Sequence, residues 1–417
     1  MTAINNTYGV RYVPGMYQDR HVKQHDNIQF SQPPTTMGKR DRWDSSSEEE
    51  DNSKRPPTSS QKDPPKTKAA AAAATSSLQL SRHNPLLQGC RSVYDTYERL
   101  DRVSEGAYGV VWKARCLATT EIVALKQIKF DAVSTTSTGS GQGFPVTALR
   151  EINVLLALQH ESIVSVKEMV VGDGVDKVFM VMEFFEFDLK DGIQRFDGAL
   201  AQAELKGIMQ QILQGMDHMH SKWFLHRDMK TSNILVHGTG RIALADFGLA
   251  RRYQEPAKAM TQLVVTLWYR APELLFGEAC YGPAVDMWSI GCIFGELITK
   301  DAIMPGQGEL DQIDQIFSLV GVPNDKNWPD FDKLPNAGLF RWKPRKESEL
   351  LLPFKFPVAS PVSTNQAFLD GHGYDLLKRL LTLDPAARIT AAQALEHAYF
   401  SEGVVPQTPR FFSATEL

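Results

Sequence analysis

From about Tyr94 onward, strand-type patterning comes first along the chain and helix-type patterning follows, an order that few folds accommodate. Segment 97–129 is rich in β-branched and aromatic residues broken by glycines, which predicts a twisted antiparallel sheet. Segment 145–159 carries Val146, Leu149, Ile152 and Leu156 at helical spacing. Segment 201–220 is a clearer amphipathic helix, with Leu205, Ile208, Met209, Ile212, Leu213 and Met216 on one face. Segment 284–298 is apolar nearly all round, as a buried helix would be. Strands before helices predict an α+β fold of two lobes with a cleft between. No internal repeat is visible.

Residues 1–90 follow other rules. They hold the proline pairs Pro33-Pro34, Pro56-Pro57 and Pro64-Pro65, an acidic serine run from Ser45 to Asp51, and an alanine tract from Ala69 to Ala74. Large apolar residues are too sparse to offset the entropy of ordering, so a disordered low-complexity region is expected there. Serines beside Glu48–Glu50 are either acidic-directed phosphosites or part of a solvated linker. Lys39-Arg40 and Lys54-Arg55 read as short import signals or as plain surface charge. The 417 residues carry a formal charge of −4, which does not mark a nucleic-acid binder. Cys90, Cys116, Cys280 and Cys292 are scattered without a CxxC pair, so neither a zinc site nor a disulfide framework is expected. The N-terminus lacks an apolar h-region, so no signal peptide is expected, and the longest apolar stretches are too short to span a bilayer.

Chemistry-bearing residues recur through the second region. Ser104-Glu105-Gly106-Ala107-Tyr108-Gly109-Val110-Val111 follows one strand and opens another. Its small residues let backbone N–H groups approach phosphates, although the loop alone reads equally as a hairpin turn. Val123-Ala124-Leu125-Lys126 puts a lysine inside an apolar strand, where it needs a partner. Glu151, on the helix read over 145–159, is the candidate. Downstream come His226-Arg227-Asp228-Met229-Lys230-Thr231-Ser232-Asn233, Asp246-Phe247-Gly248 and Ala271-Pro272-Glu273. Any one of these acidic residues is, alone, as readily a helix cap or a surface ion pair.

In this order and at this spacing the set resembles the motifs of eukaryotic protein kinases, across about residues 94–402. Ser104 stands where the family has its first glycine, and Met229 where it has leucine. The resemblance implies phosphoryl transfer from ATP with Mg²⁺. It makes Asp228 the acceptor of the substrate hydroxyl proton and Lys230 a contact to the γ-phosphate. Asn233 and Asp246 would hold the metal, and Lys126, paired with Glu151, would hold the α- and β-phosphates. Val103, Val111, Ala124 and Leu235 would sandwich the adenine, roles compatible with plain core packing. Met182 would be the gatekeeper before a hinge of Glu183, Phe184 and Phe185, whose backbone would bond the adenine, and Asp188 would face the ribose. Lys230 two residues after Asp228 resembles the serine/threonine branch.

The helix carrying Glu151 begins Pro145-Val146-Thr147-Ala148-Leu149-Arg150-Glu151, which resembles the cyclin-binding helix of the cyclin-dependent kinases named PITSLRE. That likeness implies a cyclin partner and protein substrates with Ser-Pro or Thr-Pro. It also implies nuclear work in transcription, pre-mRNA processing or cell-cycle progression, with some cytoplasmic presence compatible. It puts the activating phosphothreonine at Thr261, with Arg150, Arg227 and Arg251 gathered on the phosphate. Arg270 and Val264-Val265 resemble the pocket that favours proline after the acceptor. Tyr108 takes the place of an inhibitory tyrosine, or simply caps the cleft. Residues 134–143 and 340–370 look inserted and receive no role, and 403–417 form a C-terminal tail. A competing reading is a catalytically weak scaffold that binds a cyclin, and another is a kinase with a different regulator on the same helix.

Overall fold

The computed structural model describes residues 89–106, 109–130, 144–174, 177–195, 200–254, 258–261, 265–339, 341–358 and 369–410. The expectations for nearly all of residues 1–90, for Ala107 and Tyr108, and for 134–143 fall outside them. Two compact units divide the chain. One takes the described residues up to Lys129 together with Glu168–Val181, and the other takes Phe130–Lys167 and everything from Met182 onward.

The first unit is built on a six-stranded sheet. Its strands are β1 (Arg91–Ser92), β2 (Tyr97–Gly106), β3 (Gly109–Cys116), β4 (Ile122–Gln127), β5 (Val166–Val171) and β6 (Val178–Glu183), in the order β1-β5-β6-β4-β3-β2. β2, β3 and β4 form the expected antiparallel meander, and β1 joins β5 in parallel. Alternation sorts the side chains. Trp112, Ala114 and Cys116 turn one way along β3 and meet Val123, Leu125, Phe179 and Val181 in a buried cluster. β2 and β3 pair antiparallel up to Gly106 and Gly109, and the glycine that opens β3 is required. Gly109 has φ +144, and a Cβ there would lie 2.1 Å from the Gln127 carbonyl oxygen.

The second unit is mainly helical, with α1 (Val146–Ala157), α2 (Gln202–Ser221), α3 (Ala284–Thr299), α4 (Glu309–Val320) and α5 (Gly371–Leu380). The apolar face read on α2 is its buried face. Leu205, Ile208, Met209, Ile212, Leu213 and Met216 are all at 0% exposure, and each such side chain contributes about 1.5–3 kcal/mol on burial. The Glu204 carboxylate accepts the Ala201 N–H at 3.2 Å and so serves a donor the helix start leaves free. α3 is buried from Val285 to Leu297 without a break, as its composition predicts.

α1 departs from the simple reading of its stripe. Val146, Leu149 and Leu156 are 67%, 43% and 59% exposed, and the helix buries Glu151, Val154 and Leu155 instead. Helical spacing identifies a face but not what covers it, and among the described residues this face is left open except at the half-buried Ile152. Residues 341–358 join the helical unit through backbone, with the Leu351 N–H on the Ser318 carbonyl at 2.9 Å. Among the described residues no helix is long and apolar enough to cross a membrane.

Residues 403–410 run as a strap along α2. The Gln407 N–H donates to the Ala203 carbonyl at 2.8 Å, and the Arg410 N–H to Glu204 Oε1 at 3.1 Å. A Cβ on Gly207 would stand 1.8 Å from the Gln407 carbonyl oxygen. Glycine to alanine inside a helix ordinarily adds about 1 kcal/mol of stability. Here Gly207→Ala should instead detach the strap, raising amide exchange at Gln407 about tenfold or more while α2 stays protected. A more stable protein with unchanged exchange at Gln407 would show that the strap does not depend on this approach.

Candidate active site

Short strands of the helical unit bring the motif residues together. β7 (Phe187–Asp188), β9 (Ile234–Val236) and β10 (Ile242–Leu244) form one sheet, and β8 (Phe224–Leu225) pairs with β11 (Arg251–Arg252) in another. The antiparallel register sets Ile234 against Leu244. The chain just before β9 and just after β10 therefore runs side by side, and the Ala245 N–H donates to the Asn233 carbonyl at 2.9 Å. Asn233 and Asp246, thirteen positions apart in the chain, become neighbours through that hairpin.

Asp228 is the centre of the arrangement and is 7% exposed. Its Oδ2 accepts Lys230 Nζ at 2.7 Å and Asn233 Nδ2 at 3.1 Å. Its Oδ1 accepts the Thr266 N–H at 3.2 Å and the Thr266 hydroxyl at 3.1 Å. Asn233 Nδ2 also donates to the Asp228 carbonyl at 2.7 Å, which leaves the amide oxygen as the atom for a cation. Lys230 Nζ reaches Thr266 Oγ1 at 3.3 Å as well. A carboxylate so held has one orientation, a requirement for a positioned base.

Asp246 Oδ1 is buried and accepts no hydrogen bond. A carboxylate oxygen removed from water without a donor is costly, and a hard cation relieves it. Among the described residues no three His, Cys, Asp or Glu side chains gather into a metal cluster. Asp246 and Asn233 together fit Mg²⁺, which keeps waters and takes phosphate oxygens for its other ligands.

The backbone around these groups is strained. Arg227, Asp246 and Val265 have φ of +67°, +62° and +66°, a region that costs a non-glycine residue about 1–3 kcal/mol. Asp286, at 1% exposure on α3, holds the first of them. Its carboxylate accepts the His226 N–H at 3.0 Å, the Arg227 N–H at 2.9 Å and His220 Nε2 at 2.9 Å. Burial alone would raise this carboxyl, but the His220 hydrogen bond and the charges and donors around it hold it below the usual carboxylate range. Phe247 is fully buried, its ring centre 5.0 Å from that of His226. Below the loop, Glu296 accepts the Thr231 hydroxyl at 3.0 Å and the Tyr269 hydroxyl at 2.6 Å, and burial raises its pKa.

Three arginines converge beside α1. Arg150, Arg251 and Arg252 line a cavity of about 330 Å³ with Asn153, Val154 and Phe224. Arg227 lies nearby, 2% exposed, with Nε on the Leu249 carbonyl at 2.9 Å and Nη1 on the Tyr281 hydroxyl at 2.8 Å. That hydroxyl in turn donates to the Thr261 carbonyl at 2.6 Å, while Thr261 itself is exposed. Burial, then repulsion from Arg150 and Arg227, pushes the Arg251 pKa down to about 10. Burial and Arg227 lower that of Arg150 too.

The remaining predicted residues take these places. In the sheet unit Val103 is 49% exposed, Ala124 is 8% exposed, and Val111 and Lys126 face each other in the register of β3 and β4. Ser104 pairs with Val111 at the end of β2, and Gly106 with Gly109. Nothing is described of the Glu105 side chain, nor of Ala107 and Tyr108. In the helical unit Glu151 is 7% exposed on α1, Leu235 is half-buried on β9, and Phe185 is 6% exposed. Asp188 Oδ1 accepts the Asp191 N–H at 2.8 Å, and burial raises its pKa. Glu183, Ser165 and Arg241 form a separate polar group, taken up below. Thr266, Tyr281, Asp286 and Arg388 were not singled out in the sequence. Asp286 had a signal, being one of two carboxylates, with Glu296, in a helix that is otherwise largely apolar.

Comparison with known proteins agrees with this geometry. A protein kinase domain family model matches residues 97–400. Cyclin-dependent kinase G-2 of rice, Oryza sativa subsp. japonica, is 47% identical over 327 residues, covering 78% of this chain and 44% of that protein. Serine/threonine-protein kinase ppk23 of Schizosaccharomyces pombe is 45% identical over 335 residues, covering 80% of this chain and 79% of that one. Human cyclin-dependent kinase 11B is 44% identical over 334 residues, 80% of this chain and 40% of its own length. The chain thus spans less than half the length of the rice and human relatives.

Proposed function

Because the chain belongs to the protein kinase family, we propose that it transfers the γ-phosphate of ATP to serine or threonine hydroxyls followed by proline, under the control of a cyclin. The observation that carries this reading is the Asp228 carboxylate, buried and fixed by Lys230, Asn233 and Thr266, with Asn233 in turn bonded to the backbone just before Asp246 and its unpartnered oxygen. Asp228 takes the proton of the acceptor hydroxyl as its oxygen attacks the γ-phosphorus, and ADP leaves. Lys230 already lies against Asp228, where its charge also meets the phosphoryl group. Asn233 and Asp246 would hold Mg²⁺, whose charge would offset that of the phosphates. Most of the rate then comes from positioning and charge stabilisation rather than covalent chemistry.

Regulation follows from two features. The exposed residues Val146, Leu149 and Leu156 on α1 are the kind of surface a cyclin covers, and the rice and human relatives named above are called cyclin-dependent. The crowded cations Arg150, Arg227 and Arg251 favour an anion, and a phosphate on Thr261 supplies one. Tyr281 already ties Arg227 to the Thr261 backbone.

Substrate choice turns on Val265. It is a β-branched residue at φ +66°, and its carbonyl accepts Arg270 Nη2 at 3.2 Å while Arg270 Nη1 pairs with Glu309 at 2.7 Å. The carbonyl is thereby occupied, so a substrate N–H after the phosphoacceptor finds no partner. Proline has no N–H to strand. An unsatisfied N–H costs about 1–3 kcal/mol, so Ser-Pro peptides should exceed matched Ser-Ala peptides in kcat/KM by about 10–100-fold. Arg270→Ala should narrow the gap. Equal kcat/KM on the two peptide sets would reject the proline-directed reading.

A further inference from the structure

The turn from β9 to β10 carries a cation that grips the hinge. Arg241 Nη2 pairs with Glu183 Oε2, Nη1 donates to the Glu161 carbonyl at 3.2 Å, and Cζ stands 4.9 Å from the centre of the Phe185 ring. The other oxygen of Glu183 accepts the Ser165 N–H at 2.9 Å. Phe185 is 6% exposed and meets the His237 ring edge-on, centroids 6.0 Å apart. From the same turn the Gly238 N–H donates to Glu186 Oε2 at 2.7 Å. One five-residue turn therefore holds the side chains of Glu183, Phe185 and Glu186.

Glu183 and Phe185 are the outer two of the three hinge residues, with Phe184 between them, whose backbone the hinge reading assigns to adenine. Arg241 touches both side chains at once. We infer that Arg241 is a positioning residue that presets the hinge backbone for the nucleotide base, an inference that rests on the adenine role of Glu183 and Phe185. A planar guanidinium suits the task, because it bonds in its plane while stacking its face on a ring. An ammonium cannot do both. The pair is also partly sheltered, its side chains 33% and 19% exposed, unlike a solvated ion pair of little consequence. The effect belongs to binding: a preset hinge lowers the ordering cost of ATP and leaves the transfer step at Asp228 untouched.

Arg241→Ala and Arg241→Lys, made in the full chain and purified with its bound partner, test this. For Arg241→Ala, KM for ATP should rise about 5–10-fold, with kcat and the peptide KM within twofold. The Kd of adenosine, which lacks phosphates, should rise by the same factor. Arg241→Lys should recover little of the loss, since it restores the charge without the stacking fork. A lowered thermal midpoint with unchanged KM and adenosine affinity would reduce Arg241 to a purely structural role and overturn the inference. A fall in kcat at constant KM would overturn it as well. Phe185→Pro, which deletes the hinge N–H, separates the two layers. If it abolishes adenosine binding while the Arg241 variants bind normally, the hinge reading stands and the Arg241 inference falls. If a folded Phe185→Pro binds adenosine normally, the hinge reading itself fails.

Discussion

Glu273→Ala should lower the stability of the helical unit by about 3–5 kcal/mol, the cost typical of breaking a buried ion pair from one side. Glu273 and Arg388 form a two-pronged pair at 2.7 and 3.0 Å, with side chains 2% and 0% exposed. Arg388 also donates to the carbonyls of Ala284, Thr382 and Leu383 and lies over the Trp288 ring. It cannot swing out to water without abandoning these bonds. Removing Glu273 strands a guanidinium in the core. Glu273→Gln should cost less, because the amide still accepts one of the two bonds. Urea unfolding followed by tryptophan fluorescence measures the midpoints, with Trp288 packed beside the pair as a reporter. Midpoints for Glu273→Ala and Arg388→Ala within error of the unmodified chain would mean that this pair does not anchor the fold.

Asp228→Asn should lower kcat by about 10²–10⁴-fold, as expected for losing a positioned acid–base group. The substitution is nearly isosteric, and the amide oxygen can still accept from Thr266, so the loop should keep its shape. What disappears is the basic oxygen that takes the hydroxyl proton, together with the ion pair to Lys230. ATP affinity should stay within about twofold, since Asp228 acts on the hydroxyl and not on the nucleotide. Steady-state kinetics beside equilibrium ATP titration read both quantities. Near-normal turnover in this variant would remove Asp228 from the role of base.

Much of this was legible in the sequence, and the residues show why. The face of α2 was readable because each of its six apolar residues at helical spacing is buried by the unit's own core. The stripe on α1 has the same spacing yet stays exposed, because spacing records a face and not its partner. Asp228, Asn233 and Asp246 were recognisable by motif, since phosphoryl transfer fixes both their types and their order. Their supports were not. Thr266 reaches Asp228 across 38 positions of chain and Arg388 reaches Glu273 across 115, distances at which local pattern carries no information. Positive φ at Arg227 and Val265 was equally hidden, because Arg and Val do not ordinarily announce left-handed backbone. Arg241 was not singled out, because its contact with Phe185 joins residues far apart in the chain.

The central claim is that this chain catalyses phosphoryl transfer and is not a partner-binding scaffold. Its most direct test uses γ-labelled ATP, Mg²⁺ and a Ser-Pro peptide, with the tagged full chain isolated from its native cells together with whatever partner it holds. The acceptor residue is then located by mass spectrometry. Label should appear on the serine before proline, and the Asp228→Asn chain isolated with the same partner should fall to background. A complex that binds ATP tightly, yet labels the peptide no better than its Asp228→Asn counterpart, would contradict the account.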